Sequence, residues 1–134
     1  MEAEGLPSMV ELAGKVDDAR LEQLYAQCHA LVLPTRFEGM PTVVLEAMAR
    51  ARPALVSDVG ASAELVDGAN GYLLPPGDAD ALHAVIVRFV GMTHAERAAM
   101  GDAGRQRVAE RFTWAAVTET FAREARSLTS TQRD

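Results

Sequence analysis

Two carboxylates in an apolar run are the residues best placed to do chemistry in this sequence. Glu38 and Glu46 interrupt "LVLPTRFEGMPTVVLEAMARARP" (31–53), where burying a carboxylate without partners is costly. Glu38 falls in a loop after a strand-like run, beside Gly39. Pro41 suits the first turn of a helix, so the backbone N–H groups near Thr42 to Val44 form a free helix end, a ready seat for phosphate. Glu46 lies one turn beyond Thr42 on the same helix face. The group offers a carboxylate in the loop, an anion seat, and a second carboxylate deeper in. A ligand with sugar hydroxyls on both sides of a diphosphate would use all three. A plainer reading fits the same spacing, each glutamate being a dipole partner worth well under about 1 kcal/mol.

The elements that must position these groups follow from periodicity. Short β-rich runs alternate with longer helical patterns,. "MVELAG" predicts a strand from Met9 to Leu12, ended by Gly14. Asp17 or Asp18 caps a helix with Leu21, Leu24, Tyr25 and Cys28 on one face. "ALVLP", "PALVS" and "GYLLPP" predict three further strands. The Pro41 helix runs to about Arg50, and "GASAELVDGANG" holds a short helix. Three helices close the chain, at about Ala79 to Val90, Ala95 to Arg111 and Trp114 to Leu128, capped by Asp78, Thr93 and Thr113. Residues 1–128 are expected to form one domain and 129–134 a frayed tail.

Buried strands alternating with helices indicate an α/β fold with a parallel sheet and flanking helices, Rossmann-like, with ligands at the carboxyl ends of the strands. About four strands are expected. A doubly wound sheet usually has more, so the sheet reads as incomplete.

Composition narrows the function. A 134-residue chain with 49% hydrophobic and 24% charged residues can bury a core,. Its net charge of −6, with twelve arginines and one lysine scattered along it, excludes sequence-independent nucleic-acid binding,. One cysteine, Cys28, forms no internal disulfide. No apolar run reaches spanning length and "MEAEGLPS" lacks signal-peptide features, so a soluble, cytoplasmic chain is expected.

The residues around the two glutamates carry a further signal. "LYAQCHALVLPTRFEGMPTVVLEAMARARPALVSDVGASAELVDGANGYLLPPGDADAL" resembles the donor-binding, C-terminal domain of retaining GT-B glycosyltransferases of family four. Glu38 and Glu46 match that family's two glutamates separated by seven residues. "LAGKVDD", "EAMARARP", "NGYLLPPGD" and "RFTW" match in order, over about Val10 to Phe121. The resemblance implies that Glu38 contacts the transferred sugar near the reaction centre and that Glu46 accepts from the ribose. It implies that the backbone from Gly39 through Met40, Pro41, Thr42 and Val43 to Val44 holds the diphosphate, with Thr35 among the donor-binding residues. Lys15 and Val16 match the loop along the nucleobase. The implied donor is a UDP- or GDP-linked sugar, transferred with retention and without a metal or other cofactor.

Departures from the family matter equally. The basic pair that neutralises the leaving diphosphate has no counterpart here, nor does the acceptor-binding N-terminal domain. Ala51 replaces the usual glycine before "RP", and Ala61 replaces the second glycine of a "GG" turn. The chain is therefore expected to bind donor weakly and to be inactive without an N-terminal half, supplied in cis or in trans. In a full enzyme it could sit peripherally at the inner membrane face. The alternative is a non-catalytic module pairing with a separate acceptor-domain chain. An exposed sheet edge and last helix would favour self-association.

The remaining residues read as structural. His29, His83 and His94 lack metal spacing, Cys28 packs, and "SDVG" and "DGANG" supply turn glycines. Ser57 lies within reach of a donor, and Trp114 anchors the last helix, whose outer face is left apolar.

Overall fold

Three short parallel strands carry the molecule: β1 (Leu31–Leu33), β2 (Ala54–Ser57) and β3 (Gly71–Leu74), ordered β1-β2-β3. The computed structural model describes residues 9–130. Helix α1 (Asp18–Gln27) precedes β1. Helices α2 (Thr42–Ala49) and α3 (Ser62–Leu65) link the strands. After β3 come α4 (Ala79–Val90), α5 (His94–Arg111) and α6 (Trp114–Ser130). This is the expected parallel α/β fold with flanking helices.

Side-chain alternation along β2 explains the layers. All four of its residues are buried, as a central parallel strand requires. Ala54 and Val56 join Val44, Met48, Leu65 and Val66 in one cluster, while Leu55 joins Phe89 and Met100 in another. Successive side chains point to opposite faces, so one strand feeds both. Helix α2 has only eight residues and would not be stable in isolation. Burial of Val44 and Met48, each worth about 1.5–3 kcal/mol, holds it in place.

The caps agree with the sequence. The Asp17 carboxylate accepts from Arg20 N–H at 2.8 Å and the Asp78 carboxylate from Ala81 N–H at 2.8 Å. Thr93 and Glu96 form a reciprocal capping box,. Thr113 Oγ1 accepts from Ala116 N–H at 3.2 Å, capping α6. Helix α6 runs to Ser130, two residues past its expected end. Residues 1–8 of the expected domain, with "MEAEGLPS", and 131–134 of the expected tail lie outside the described residues.

One expected element is corrected. Residues Met9 to Leu12 form no strand, and Met9 and Leu12 are 82% and 91% exposed. A strand needs a neighbour for its amide and carbonyl groups, and none of the described strands pairs with this segment.

The end of α2 holds a testable strain. Arg52 N–H donates to Ala47 O and Ala51 N–H to Met48 O, both at 2.9 Å. These are the paired bonds of a Schellman motif, which favours glycine at the left-handed position. That position is Ala51, with φ of 55°. A left-handed alanine costs about 1–2 kcal/mol, partly offset by the greater unfolded-state freedom of glycine. Ala51→Gly is therefore expected to stabilise the fold by about 0.5–1 kcal/mol, read as a rise in urea midpoint with unchanged slope.

Candidate functional site

The carboxyl ends of the strands gather most of the expected site. Thr35 opens the loop after β1, and its hydroxyl is committed locally, accepting from Phe37 N–H at 3.3 Å and donating to Phe37 O at 3.1 Å. This tight turn presents Glu38 at the loop crest. Glu38 is half-buried, and no hydrogen bond or ion pair engages its carboxylate among the described residues.

What fixes the loop is Gly60. Its φ is +54°, and a Cβ built there would overlap the carbonyl oxygens of Glu38 and Gly39. Ala61 N–H donates to Gly39 O at 2.8 Å, so Ala61 is tied to the loop through its backbone. The close approach demands the absence of a side chain at Gly60. Reading "SDVG" as a turn glycine alone understates its role.

Next along the chain, buried Pro41 stands at the N-cap of α2, one position earlier than the first-turn place the sequence suggests, and no side chain caps the helix. Val44 N–H bonds Pro41 O at 3.0 Å. The amides of Thr42 and Val43 make no bond among the described residues, which leaves donors open at a positive dipole end. Thr42 is exposed and Val43 half-buried, while Met40 stands out at 48% exposure.

Glu46, one turn further, is half-buried and held from α1. Tyr25 Oη donates to Glu46 Oε2 at 3.2 Å, leaving Oε1 without a partner among the described residues. Arg50 braces both residues: its guanidinium lies 4.8 Å from the Tyr25 ring centre, and Nη1 donates to Glu46 O at 2.8 Å. Arg50 is itself paired with Glu22, and that guanidinium holds the Glu22 carboxyl below its usual range. The sequence places Tyr25 on the packing face of α1, correctly, but gives no sign of its bond to Glu46, 21 positions away. Only the fold brings the two together.

Burial, then the neighbouring Glu46 carboxylate, pushes the Tyr25 phenol above its ordinary value. Its stabilising contribution is therefore intact below about pH 10 and lost as pH rises through the raised value. Tyr25→Phe is expected to lower stability by about 1 kcal/mol at neutral pH, and to flatten the decline in stability above pH 10 in urea titrations. An unchanged alkaline limb would show that the phenol is neither buried nor held beside Glu46 in solution.

Two expected donor residues stand apart. Lys15 is exposed and Val16 half-buried in the irregular segment before α1, and no described hydrogen bond or ion pair joins them to the loop. Ser57 is buried at the end of β2, its Oγ unpartnered among the described residues, beside a cavity of about 210 Å³ that Pro34, Arg36 and Gly77 also line. Trp114 is 87% exposed and so does not anchor α6 by burial. Phe112, the residue before the cap, packs against the core instead. The thiol of half-buried Cys28 is raised by burial, in keeping with a packing role.

A carboxylate crest, an uncapped helix end and a braced second carboxylate thus share one edge of a parallel sheet. A family model described as "Glycosyl transferases group 1" matches residues 1–91. The chain belongs to the group 1 glycosyl transferases. Among its relatives is the MMP alpha-(1->4)-mannosyltransferase of Mycolicibacterium hassiacum, 34% identical over 115 residues, 84% of this chain and 28% of that protein. The alpha-maltose-1-phosphate synthase of Mycobacterium tuberculosis is 35% identical over 106 residues, 75% of this chain and 27% of that protein. Among solved structures, sucrose-phosphate synthase from Thermosynechococcus elongatus superposes with a TM-score of 0.78 at 31% identity, over 94% of this chain and 32% of that one. This group 1 chain has the Rossmann-like α/β fold of GT-B glycosyltransferases. It spans 28% and 27% of the two curated relatives named. No helix among the described residues is long and apolar enough to cross a membrane.

Proposed function

We propose that this chain is the donor-binding, C-terminal part of a retaining glycosyltransferase of family four, which moves a hexose-type sugar from a UDP- or GDP-linked donor to an acceptor hydroxyl. The observation that carries the reading is the pair of uncommitted carboxylate positions, Glu38 and Glu46 Oε1, on either side of the uncapped α2 terminus. In this reading Glu46 accepts from the ribose hydroxyls while Tyr25 holds its other oxygen. The Thr42 and Val43 amides receive the diphosphate, with backbone from Gly39 to Pro41 shaping the seat. Glu38 orients the transferred sugar through its hydroxyls and lies near the anomeric carbon. Lys15 and Val16 border the base, and Thr35 holds the loop. No metal is required.

Transfer needs charge stabilisation on the leaving diphosphate and an acceptor held in line. Those functions are assigned to the further length found in the relatives, present in cis or in trans. The exposed apolar residues of α6, Trp114 and Phe121, favour a second reading of the same surface as a face for pairing with a separate acceptor-domain chain. The experiment is a thermal melt and a transfer assay on the 134-residue chain with UDP- and GDP-hexoses and a simple acceptor. One donor series raises the melting temperature and no product forms. A melt indifferent to every donor contradicts the binding assignment, and product from this chain alone contradicts the division of labour.

A further inference from the structure

A second pocket lies at the opposite edge of the sheet, and Arg50, which braces Tyr25 and Glu46, is its link to the donor reading. It is a cavity of about 240 Å³ before the amino ends of β1 and β2, lined among others by His29, Arg50, Arg52, His94 and Arg97. Helix α2 separates it from the Glu38 loop by about 12 Å, the length of eight helical residues,.

Its charge balance runs against that of the chain. The protein carries a net charge of −6, yet three arginines and two histidines line this pocket with Asp102 as its one acid. Asp102 is already paired with Arg105 at 2.9 Å, and Arg50 is engaged by Glu22. Arg52 and Arg97 have no described carboxylate partner. Arg52 Nη2 donates to Ala26 O at 3.1 Å, while its Nε is covered and makes no hydrogen bond among the described residues. Arg97 reaches Val90 O at only 3.4 Å and lies over the Phe89 ring. Gathering cations in this way without a counter-ion is unfavourable, and a buried guanidinium donor left unmade adds to the cost. The first turn of α5 adds to the same field: its capping box satisfies Glu96 N–H, and the His94 and Ala95 amides make no bond among the described residues, at the positive end of an 18-residue helix,.

We infer that this pocket binds a phosphoryl dianion, as free phosphate or as the phosphate of a small phosphomonoester, held by Arg52 and Arg97 with His29 and His94 at the rim. The volume, below the roughly 300–1,000 Å³ usual for drug-sized ligands, suits a small anion, and its place before the amino ends of the strands sets it apart from the donor seat. Planar guanidinium forks match phosphate oxygens two at a time, which chloride cannot exploit.

The test is a titration of the full 134-residue chain with inorganic phosphate, and separately with a hexose monophosphate, at constant ionic strength set by chloride. The imidazole NMR signals of His29 and His94 report the pocket, and His83, exposed on α4, is the internal control. Saturable movement of His29 and His94 with His83 still is expected, and Arg52→Gln with Arg97→Gln weakens it roughly tenfold or more. A tighter response to the monophosphate would identify the ester as the ligand, and an equal one free phosphate. Equal drift of all three histidines, or the same shifts with chloride alone, overturns the site. Unaltered affinity in a folded arginine variant overturns it too. The wild-type contrast among the three histidines decides the matter even if that variant does not fold.

Discussion

Gly60→Ala is expected to cost about 2–5 kcal/mol of stability and to displace the Glu38 loop at the same time. Two terms add. The left-handed φ of +54° penalises any side chain by about 1–2 kcal/mol. The new Cβ also meets the Glu38 and Gly39 carbonyls, and overpacking of that kind costs about 1–3 kcal/mol. Since those atoms are backbone, relief must come from moving the loop, which carries Glu38 and receives the Ala61 N–H bond. Gly101→Ala is the matched control. A Cβ there meets the Ala51 carbonyl at the far end of α2, so it lowers stability without touching the loop. Urea denaturation reads both losses, and amide chemical shifts at Gly39 and Ala61 separate them. If Gly60→Ala folds with wild-type stability, the close approach is not present in solution.

Glu46→Ala is expected to weaken donor binding by roughly 10- to 100-fold, the loss of hydrogen bonds to a charged acceptor worth about 1.5–3 kcal/mol. The same substitution also removes the Tyr25 bond, so it should lower stability by about 1 kcal/mol, as Tyr25→Phe does,. Glu46 is half-buried, and its one described side-chain bond comes from Tyr25, itself only 5% exposed, so that bond is the stability term the substitution removes. The Arg50 bond to Glu46 goes to the main-chain carbonyl and survives. A loss of affinity well beyond that of Tyr25→Phe, at a similar loss of stability, is thus the signature of a binding residue. Equal affinity in the two variants would assign Glu46 to packing.

How much of this was legible in the sequence depends on the range of the interaction concerned. Local signals were read closely: α4 spans Ala79–Val90 as periodicity predicts, and the Asp17 or Asp18 choice resolves to Asp17 because its carboxylate reaches the Arg20 amide. The supposed strand at Met9 to Leu12 failed because alternating apolar residues make a strand only beside another strand. Gly60 was visible as a glycine, but its reason lies in a loop more than twenty positions earlier. The phenol that holds Glu46 was equally hidden, since Tyr25 looks like any other residue on an apolar helix face. Ala51 gave a partial signal. The departure from the family's glycine was apparent, and the structure gives it a physical meaning as an alanine in a left-handed cap.

The exposed face near α6 also needed the structure. A groove of about 850 Å³ runs between Met40 and residues such as Phe112, Val117 and Phe121, joining the Glu38 loop to the last helix. Sequence periodicity gives α6 an apolar stripe without saying that Trp114 would stand outside the packing.

The central claim is that Glu38, the α2 terminus and Glu46 form one seat for a sugar nucleotide. Amide chemical-shift mapping of the wild-type chain under titration with UDP- and GDP-hexoses tests it most directly. The expected result is a saturable response to one of the two series, concentrated at Gly39, Thr42, Val43 and Glu46 and propagated to the Tyr25 ring. A response scattered over the surface, or none at the Thr42 and Val43 amides at donor concentrations that saturate any other change, would contradict the account.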